Sequence, residues 1–349
     1  MDSAIVEGAV QKVLQNDVFK LDEAAEVERI RARLREVCSN ILRKRGLVVA
    51  LSGGVDSSVC AALAVHALGP KKVFGLLLPE KDSSSASRTL GHRVAEQLGI
   101  EYREENIGPA LEAIGCYRWR DDAICAVFPE YGPGWKNKIV IGGGLDGRLN
   151  HFKLVVQAPD GRVLEQRLPV KEYLQIVAAT NFKQRIRKTM EYFHADRLNY
   201  AVVGTPNRLE YDQGFFVKNG DGSADVKPIA HLYKTQVYAL ARHLGLPAEV
   251  CNARPTTDTY SMPQGQDEFY FALPYEQMDY ALWACNHDVD AAELGGFLGI
   301  GAERARHIYF DIQAKRRTTS SLHAKALLVE PIAELPQIEP HAVCSTFLD

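Results

Sequence analysis

Residues Leu47-Val-Val-Ala-Leu-Ser-Gly-Gly-Val-Asp-Ser-Ser58 run from five apolar side chains into a pair of glycines, then into one carboxylate followed by two hydroxyls. The apolar run, bounded by Gly46 and by Ser-Gly-Gly, reads as a short buried strand. A strand that turns at once into a helix gathers backbone N–H groups around one point, and the helix N-terminus adds partial positive charge there. Glycine lets the backbone approach an anion that a Cβ would hold away. Ser52, Ser57 and Ser58 can donate hydroxyl hydrogen bonds to the same place. The stretch reads as a phosphate cradle. It is not a Walker loop, because no G-x-x-x-x-G-K-[ST] occurs and no lysine follows the glycines. Asp56 beside phosphate oxygens is repulsive unless a cation bridges them, and Mg²⁺ binds through one or two carboxylates plus phosphates. An ordinary strand-to-helix turn capped by Ser or Asp is the alternative, and spacing alone leaves it open.

Working outward, Val27, Ile30, Leu34, Val37, Ile41 and Leu42 fall at steps that place one apolar stripe on a helix over 24–45. The glycine-rich turn leads into a helix over about 56–68, stopped by Gly69-Pro70. A second buried strand follows over 73–78, a second helix over 83–98 and a third strand over 100–107. This β-α-β-α-β alternation predicts an α/β fold, a parallel sheet with helices on both faces, since parallel neighbours need helical crossovers. From about Tyr131 to Val170 the rhythm breaks, and two β-rich runs around Pro159-Asp-Gly-Arg162 predict an inserted β-hairpin element. The α/β pattern resumes with a helix over 171–194, a strand over 200–204 and a helix over 232–244. The chain then reads as helical to about Lys315. We expect one α/β domain over 1–330, with N-terminal helices before residue 47 and a C-terminal tail over 331–349.

The chain has 349 residues, a formal net charge of −3 and ordinary apolar (46%) and charged (24%) fractions, which suit a globular protein with a sizeable core. A slightly acidic pI near 6.4 gives no reason to expect nucleic acid or an anionic membrane as partner. No segment approaches the ~20 apolar residues of a membrane span. The first residues lack a basic flank and apolar core, so no secretory signal is expected. Seven cysteines without a C-x-x-C pair suggest reduced, packed thiols in the cytoplasm.

Ser52-Gly-Gly-Val-Asp-Ser57 resembles the PP-loop of ATP pyrophosphatases, and the second half of the chain resembles the NAD synthetase family within that group. Asn181-Phe-Lys-Gln-Arg-Ile-Arg187 is similar to the family's N-x-K-x-R-x-R, and Gly204-Thr-Pro-Asn-Arg-Leu-Glu210 to its G-T-x-x-x-x-E. Gly214-Phe-Phe-Val-Lys-Asn-Gly-Asp-Gly-Ser-Ala-Asp225 is close to G-F-F-x-K-x-G-D-G-x-A-D. Ile229-Ala-His-Leu-Tyr-Lys-Thr-Gln236, Pro255-Thr-Thr-Asp258 and Lys315-Arg-Arg317 continue in the family's order. The resemblance spans about Val27 to Arg317.

The resemblance implies an ATP-dependent amide-forming ligase. A carboxylate, that of deamido-NAD, attacks the α-phosphorus of ATP, pyrophosphate leaves, and ammonia displaces AMP from the adenylate. Such a reaction needs positioned donors and cations more than a protein nucleophile. By the same resemblance, Ser52, Gly53, Gly54, Ser57 and Ser58 would cradle pyrophosphate, and Asp56 with Glu210 would hold Mg²⁺. Thr205 would lie against ATP, with Asp56, Lys234 and Thr256 at the reacting phosphates. Asn181, Arg185 and Arg187 would hold the acidic dinucleotide, whose charges suit guanidinium forks. Phe215 and Phe216 would offer a face to the pyridine ring, and Lys218, Asp221 and Asp225 would complete that pocket. Taken singly, each has an ordinary structural reading: solvated arginines on a helix, core phenylalanines, a turn-capping threonine. Their joint order carries the functional one. The family also implies a homodimer.

Three other patterns carry no function. Gly142-Gly-Gly-Leu-Asp-Gly147 matches G-x-G-x-x-G, but a strand and not a helix is expected after it. Asn219 to Asp225 imitates a calcium loop whose twelfth position is Ala230, not glutamate. His231 and His243 stand without a ligand cluster, so no structural zinc is expected. Three departures bear on the substrate: Lys188 where the family continues with Met, the loop Pro79-Glu-Lys-Asp-Ser-Ser-Ser85, and the insertion. Only 46 residues precede the loop strand, too few for the fused glutaminase of some relatives, so ammonia would be free or come from a separate glutaminase. The alternatives are the same chemistry on another carboxylate and a nucleotide-binding regulator without turnover.

Overall fold

The computed structural model describes residues 14–142, 151–256, 260–265, 270–271, 273–330 and 332. Helix α1 (Glu23–Glu36) begins where the Asp22 carboxylate accepts from the Ala25 N–H at 2.9 Å, and it buries Val27, Ile30 and Leu34 before one π-turn at Val37–Ile41. Strand β1 (Leu47–Ala50) follows, then α2 (Val55–Leu68), β2 (Val73–Leu77), α3 (Ser85–Leu98) and β3 (Glu101–Glu104). Two helices come next, α4 (Gly108–Ile114) and α5 (Cys116–Cys125). The small sheet is β4 (Lys136–Gly142), β5 (His151–Gln157) and β6 (Val163–Arg167). The long α6 (Val170–Leu198) returns the chain to β7 (Ala201–Val202) and α7 (Arg208–Gln213). Helices α8 (Lys234–His243), α9 (Ala248–Asn252), α10 (Tyr275–Asn286), α11 (Ala291–Phe297) and α12 (Ala302–His323) complete the order.

The main sheet is parallel with order β3-β2-β1-β7. The connection leaving β1 goes to one side and β7 arrives on the other, so the strand order reverses at β1. A crevice opens at the carboxyl ends of the strands at such a switch point. Alternation along β1 sets the two cores. Leu47, Val49 and Leu51 pack with α1, α2 and α8, while Val48 packs with Phe74, Leu76, Leu111, Ala179 and Ala195 on the opposite face. Helix α2 is apolar almost all round because it is covered on both sides, with ten residues buried. A further apolar cluster joins α10, α11 and α12 to Leu209, Leu14 and Phe19.

The expected hairpin is present as β5 and β6, closed where the Ala158 N–H donates to the Arg162 carbonyl at 2.9 Å. It is part of a larger unit, since Lys136–Gly142 adds an antiparallel third strand in register with β5. The expected third strand over 100–107 is only Glu101–Glu104, an edge strand with one neighbour. Helices α4 and α5, not anticipated, follow it. The helix expected over 171–194 extends to Leu198 and ends at Asn199 in the left-handed region (φ 55°). Of the G-x-G-x-x-G pattern only Gly142 lies among the described residues, and the residues from 151 form β5, a strand as expected.

Candidate active site

At the end of β1 the chain turns through Gly53, whose φ of 78° favours glycine and where a Cβ would meet the Ser87 carbonyl oxygen at 2.1 Å. The Ser52 N–H donates to Ser57 Oγ (3.3 Å), Ser57 Oγ donates to the Gly54 carbonyl (3.1 Å), and the Gly54 N–H donates to Ser52 Oγ (3.3 Å). This ring of hydrogen bonds shapes the loop. No side chain caps the first turn of α2 at Gly54, so its N–H groups and partial positive charge face the crevice. Ser58 is fully buried and its hydroxyl donates to the Gly54 carbonyl at 2.8 Å, which places it behind the loop and not in the cleft.

Two polar groups from distant segments meet Asp56. Lys234, the first residue of α8 and only 2% exposed, forms an ion pair with Asp56 Oδ2. Asn207 Nδ2 donates to Asp56 Oδ1 at 3.0 Å. Asn207 is also the N-cap of α7: its Oδ1 accepts from the Leu209 and Glu210 N–H groups, and Glu210 Oε2 accepts from the Asn207 N–H at 3.1 Å. One capping box thus presents Glu210 and joins it to Asp56. Burial opposes the Lys234 charge, but Asp56 and then Glu210 outweigh it, so its pKa is raised and it stays protonated. Below α8, the buried Asp279 accepts from the Lys234 N–H (3.2 Å), the Thr235 N–H (2.7 Å) and Thr235 Oγ1 (2.6 Å). It fixes the turn that aims Lys234. Burial pushes the Asp279 carboxyl up to about 7, against the pull of those hydrogen bonds.

These groups open into a cleft of about 530 Å³. Ser52, Gly53, Gly54, Asp56, Ser57, Thr205, Glu210, Lys234 and Thr256 line it, and so do Asn181, Arg187, Phe215, Phe216 and Asp221. Arg187 Nε donates to the Leu78 carbonyl (3.3 Å) and its Nη2 to Ser83 Oγ (3.4 Å). Phe215 stacks on Tyr270 at 4.6 Å, and Phe216 on Tyr211 at 6.0 Å. The remaining expected residues are not among the lining ones. Arg185 is exposed and donates to the Lys218 carbonyl, and Lys218 Nζ donates to the Ser321 carbonyl. Asp225 accepts from the Val202 N–H at 2.7 Å and ties down β7. All three instead hold neighbouring backbone.

Asn207 and Asp279, which position Asp56, Glu210 and Lys234, were not singled out by the sequence reading. Asn207 lay inside a quoted motif, at a helix-start position that its S/T/N-x-x-E spacing signals. Also missed is a buried pair in the cleft wall, Lys188 Nζ to Glu191 at 2.6 Å, where burial raises the Glu191 pKa against the pull of Lys188. A second buried network holds the loop after β2: Lys183 Nζ meets Glu80 (3.1 Å) and Asp82 (2.5 Å), and Arg120 also meets Asp82 (2.5 Å). Burial opposes the Asp82 charge, yet Lys183 and Arg120 bring its pKa below the usual value. Phe152 of β5 and Tyr173 of α6 stack at 4.3 Å and face the cleft. Among the described residues no group of three or more His, Cys, Asp or Glu could hold a metal, and Asp56 and Glu210 both line the cleft.

The sequence model of the NAD synthase family matches residues 26–123 and 153–318, well over half of the chain. The chain is 56% identical over 324 residues to an NH3-dependent NAD(+) synthetase of Rhizobium meliloti, covering 93% of this chain and 97% of that one. It is 38% identical over 251 residues to one of Thermotoga maritima, covering 71% of this chain and 83% of that protein. Among solved structures, it shares its fold with an NH3-dependent NAD synthetase from Campylobacter jejuni (TM-score 0.58, 21% identity, 89% of this chain and 100% of that one). It shares it also with an NMN synthetase from Francisella tularensis (TM-score 0.59, 22% identity, 88% and 99%). A glycine turn, an uncapped helix start and a lysine-clamped aspartate are thus found in a chain that belongs to the NAD synthase family.

Proposed function

We propose that this protein is an ammonia-dependent ligase that adenylates the carboxylate of deamido-NAD with ATP and then amidates it to NAD⁺. The observation that carries the proposal is the convergence of Asp56, Glu210 and Lys234, from three separate elements, on the uncapped start of α2. The N–H groups around Ser52–Ser57 would bind the departing pyrophosphate. Lys234, kept charged by its two carboxylate neighbours, would offset charge on the reacting phosphates, and Thr205 and Thr256 would position them. Asp56 and Glu210 fit Mg²⁺, which binds through one or two carboxylates plus phosphates and would neutralise charge as the α–β bond breaks. Asn181 and Arg187 would hold the acid substrate and Phe215 and Phe216 its ring, with Asp221 beside them. Arg185, Lys218 and Asp225 would support that pocket from behind. Ammonia would come free or from a separate glutaminase. Six cysteines of the described residues are free thiols, which supports a reducing, cytoplasmic setting. Val170 and Leu174 on α6, 73% and 58% exposed, support a homodimer through that helix, to be checked by light scattering.

The decisive assay supplies ATP, Mg²⁺, ammonium and deamido-NAD and follows AMP, pyrophosphate and NAD⁺ together. Stoichiometric formation of all three is the expected result, and the absence of pyrophosphate would overturn the proposal. A second reading, the same chemistry on a different carboxylate, is favoured by one observation: Phe152, on the β-unit, faces the cleft. Nicotinate mononucleotide is the first competitor to test.

A further inference from the structure

Strand β4 lies at the edge of the small sheet, with β5 on one side. Its other side takes residues 261–264. The Met262 N–H donates to the Asn137 carbonyl (3.1 Å), the Asn137 N–H donates to Ser261 Oγ (2.8 Å), and Gln264 Nε2 donates to the Ile139 carbonyl. Asn137 and Gln264 are both buried, 0% and 2% exposed, and Asn137 Nδ2 also donates to Tyr131 Oη at 2.8 Å. Tyr260 sinks into the apolar core of the β-unit among Ile139, Leu154 and Ile176. A bridge between Thr256 and Gly265 joins the two arms of the segment. The cleft-facing side of the same segment carries Ala253, Arg254, Pro255, Thr256 and Tyr260.

We propose that β4 is a positioning strand that holds residues 253–256 and 260–265 as a ready-made wall of the nucleotide cleft before any ligand arrives. A wall that had to order itself on binding would subtract that ordering entropy from the affinity, whereas a preformed one does not. Each buried tie opposes opening of the segment, and the Tyr260 anchor adds apolar burial. The family model passes over residues 124–152, which contain all of β4, so the tie is an addition to the matched core. That the occupant is ATP rests on the function proposed above; the tie itself does not.

The test compares Gln264→Ala and Ser261→Ala with Ser261→Thr, which keeps the hydroxyl. Amide hydrogen exchange is first measured without nucleotide. The wild-type 260–265 amides should be protected, both alanine variants should exchange at least about tenfold faster, and Ser261→Thr should match wild type. In steady state, KM for ATP should rise about five- to tenfold in the alanine variants, with kcat within about twofold. Surface-loop exchange rates in the wild type would overturn the proposal. So would alanine variants that lose thermal stability while KM for ATP stays unchanged, since the ties would then only stabilise the β-unit. If the wild type cleaves no ATP with any acid, the function proposed above fails, and the exchange result alone judges the anchor.

Discussion

The two ends of the cleft are built on different plans. At the phosphate end, six consecutive residues, Ser52 to Ser57, line the cleft, and charge is brought to them by Lys234 and the Asn207–Glu210 box. At the opposite wall the surface is mainly aromatic, with Phe152, Tyr173, Phe215, Tyr260 and Tyr270 drawn from five stretches of chain. The first end is a matter of backbone direction and charge, which a short motif can encode. The second is a matter of packing between segments that meet only in the folded state. The phosphate end should therefore govern whether the reaction occurs, and the aromatic wall should govern which acid is taken.

The largest expected effect belongs to the first end. Asp56→Asn leaves Lys234 without its ion pair and halves the carboxylate set, so pyrophosphate release should fall at least about a thousandfold. The circular dichroism spectrum should stay native. Turnover within tenfold of wild type would end the division between the two regions. Next in size is Lys188→Met, which leaves Glu191 buried without its partner. It should lower the unfolding free energy by roughly 3 kcal/mol at neutral pH, and Lys188→Met/Glu191→Gln should recover most of that. Equal denaturation midpoints for all three proteins would show that the pair contributes nothing.

Asp279 supplies a pH test. Its folded pKa, about 7, lies above the unfolded value of 3.8, so between these limits the native state binds the extra proton. Its contribution is complete below the unfolded pKa and is lost as pH rises through about 7. Asp279→Asn should remove that loss, so relative to wild type the variant should gain roughly 1–3 kcal/mol between pH 5 and pH 8 in urea denaturation. Parallel profiles would assign the slope to other groups. The smallest effect sharpens the comparison from the other side. Phe152→Leu should raise KM for the acid substrate about three- to tenfold and leave KM for ATP unchanged. The reverse pattern would move the adenine to that wall.

The parallel sheet and the phosphate loop were legible in sequence because both are local. Alternation of apolar runs with helical stripes gives the crossovers, and glycines mark the turn. The charged residues were legible only as part of a family pattern, since nothing local in Lys234 says that it will meet Asp56, 178 residues earlier. What sequence did not yield are the residues whose partners are remote. Asp279 supports α8 from α10, and Lys183 reaches back to Glu80 and Asp82. Strand β4 was not read as part of the hairpin, because the sequence between it and β5 contains glycines and no turn signal of fixed length. Arg185, Lys218 and Asp225 illustrate the opposite case: their residue types suit ligand binding, and the fold uses them to hold backbone.

Cys60 lies fully buried in α2, one turn beyond Asp56, and burial, then Asp56 and Glu210, raise its pKa well above the ordinary thiol value. A thiol so placed is closed to alkylating reagents while the sheet and α2 remain together. Its modification rate would thus serve as a native clock for global opening, set directly beneath the nucleotide loop, and a bound nucleotide would slow it in proportion to its affinity for the closed form.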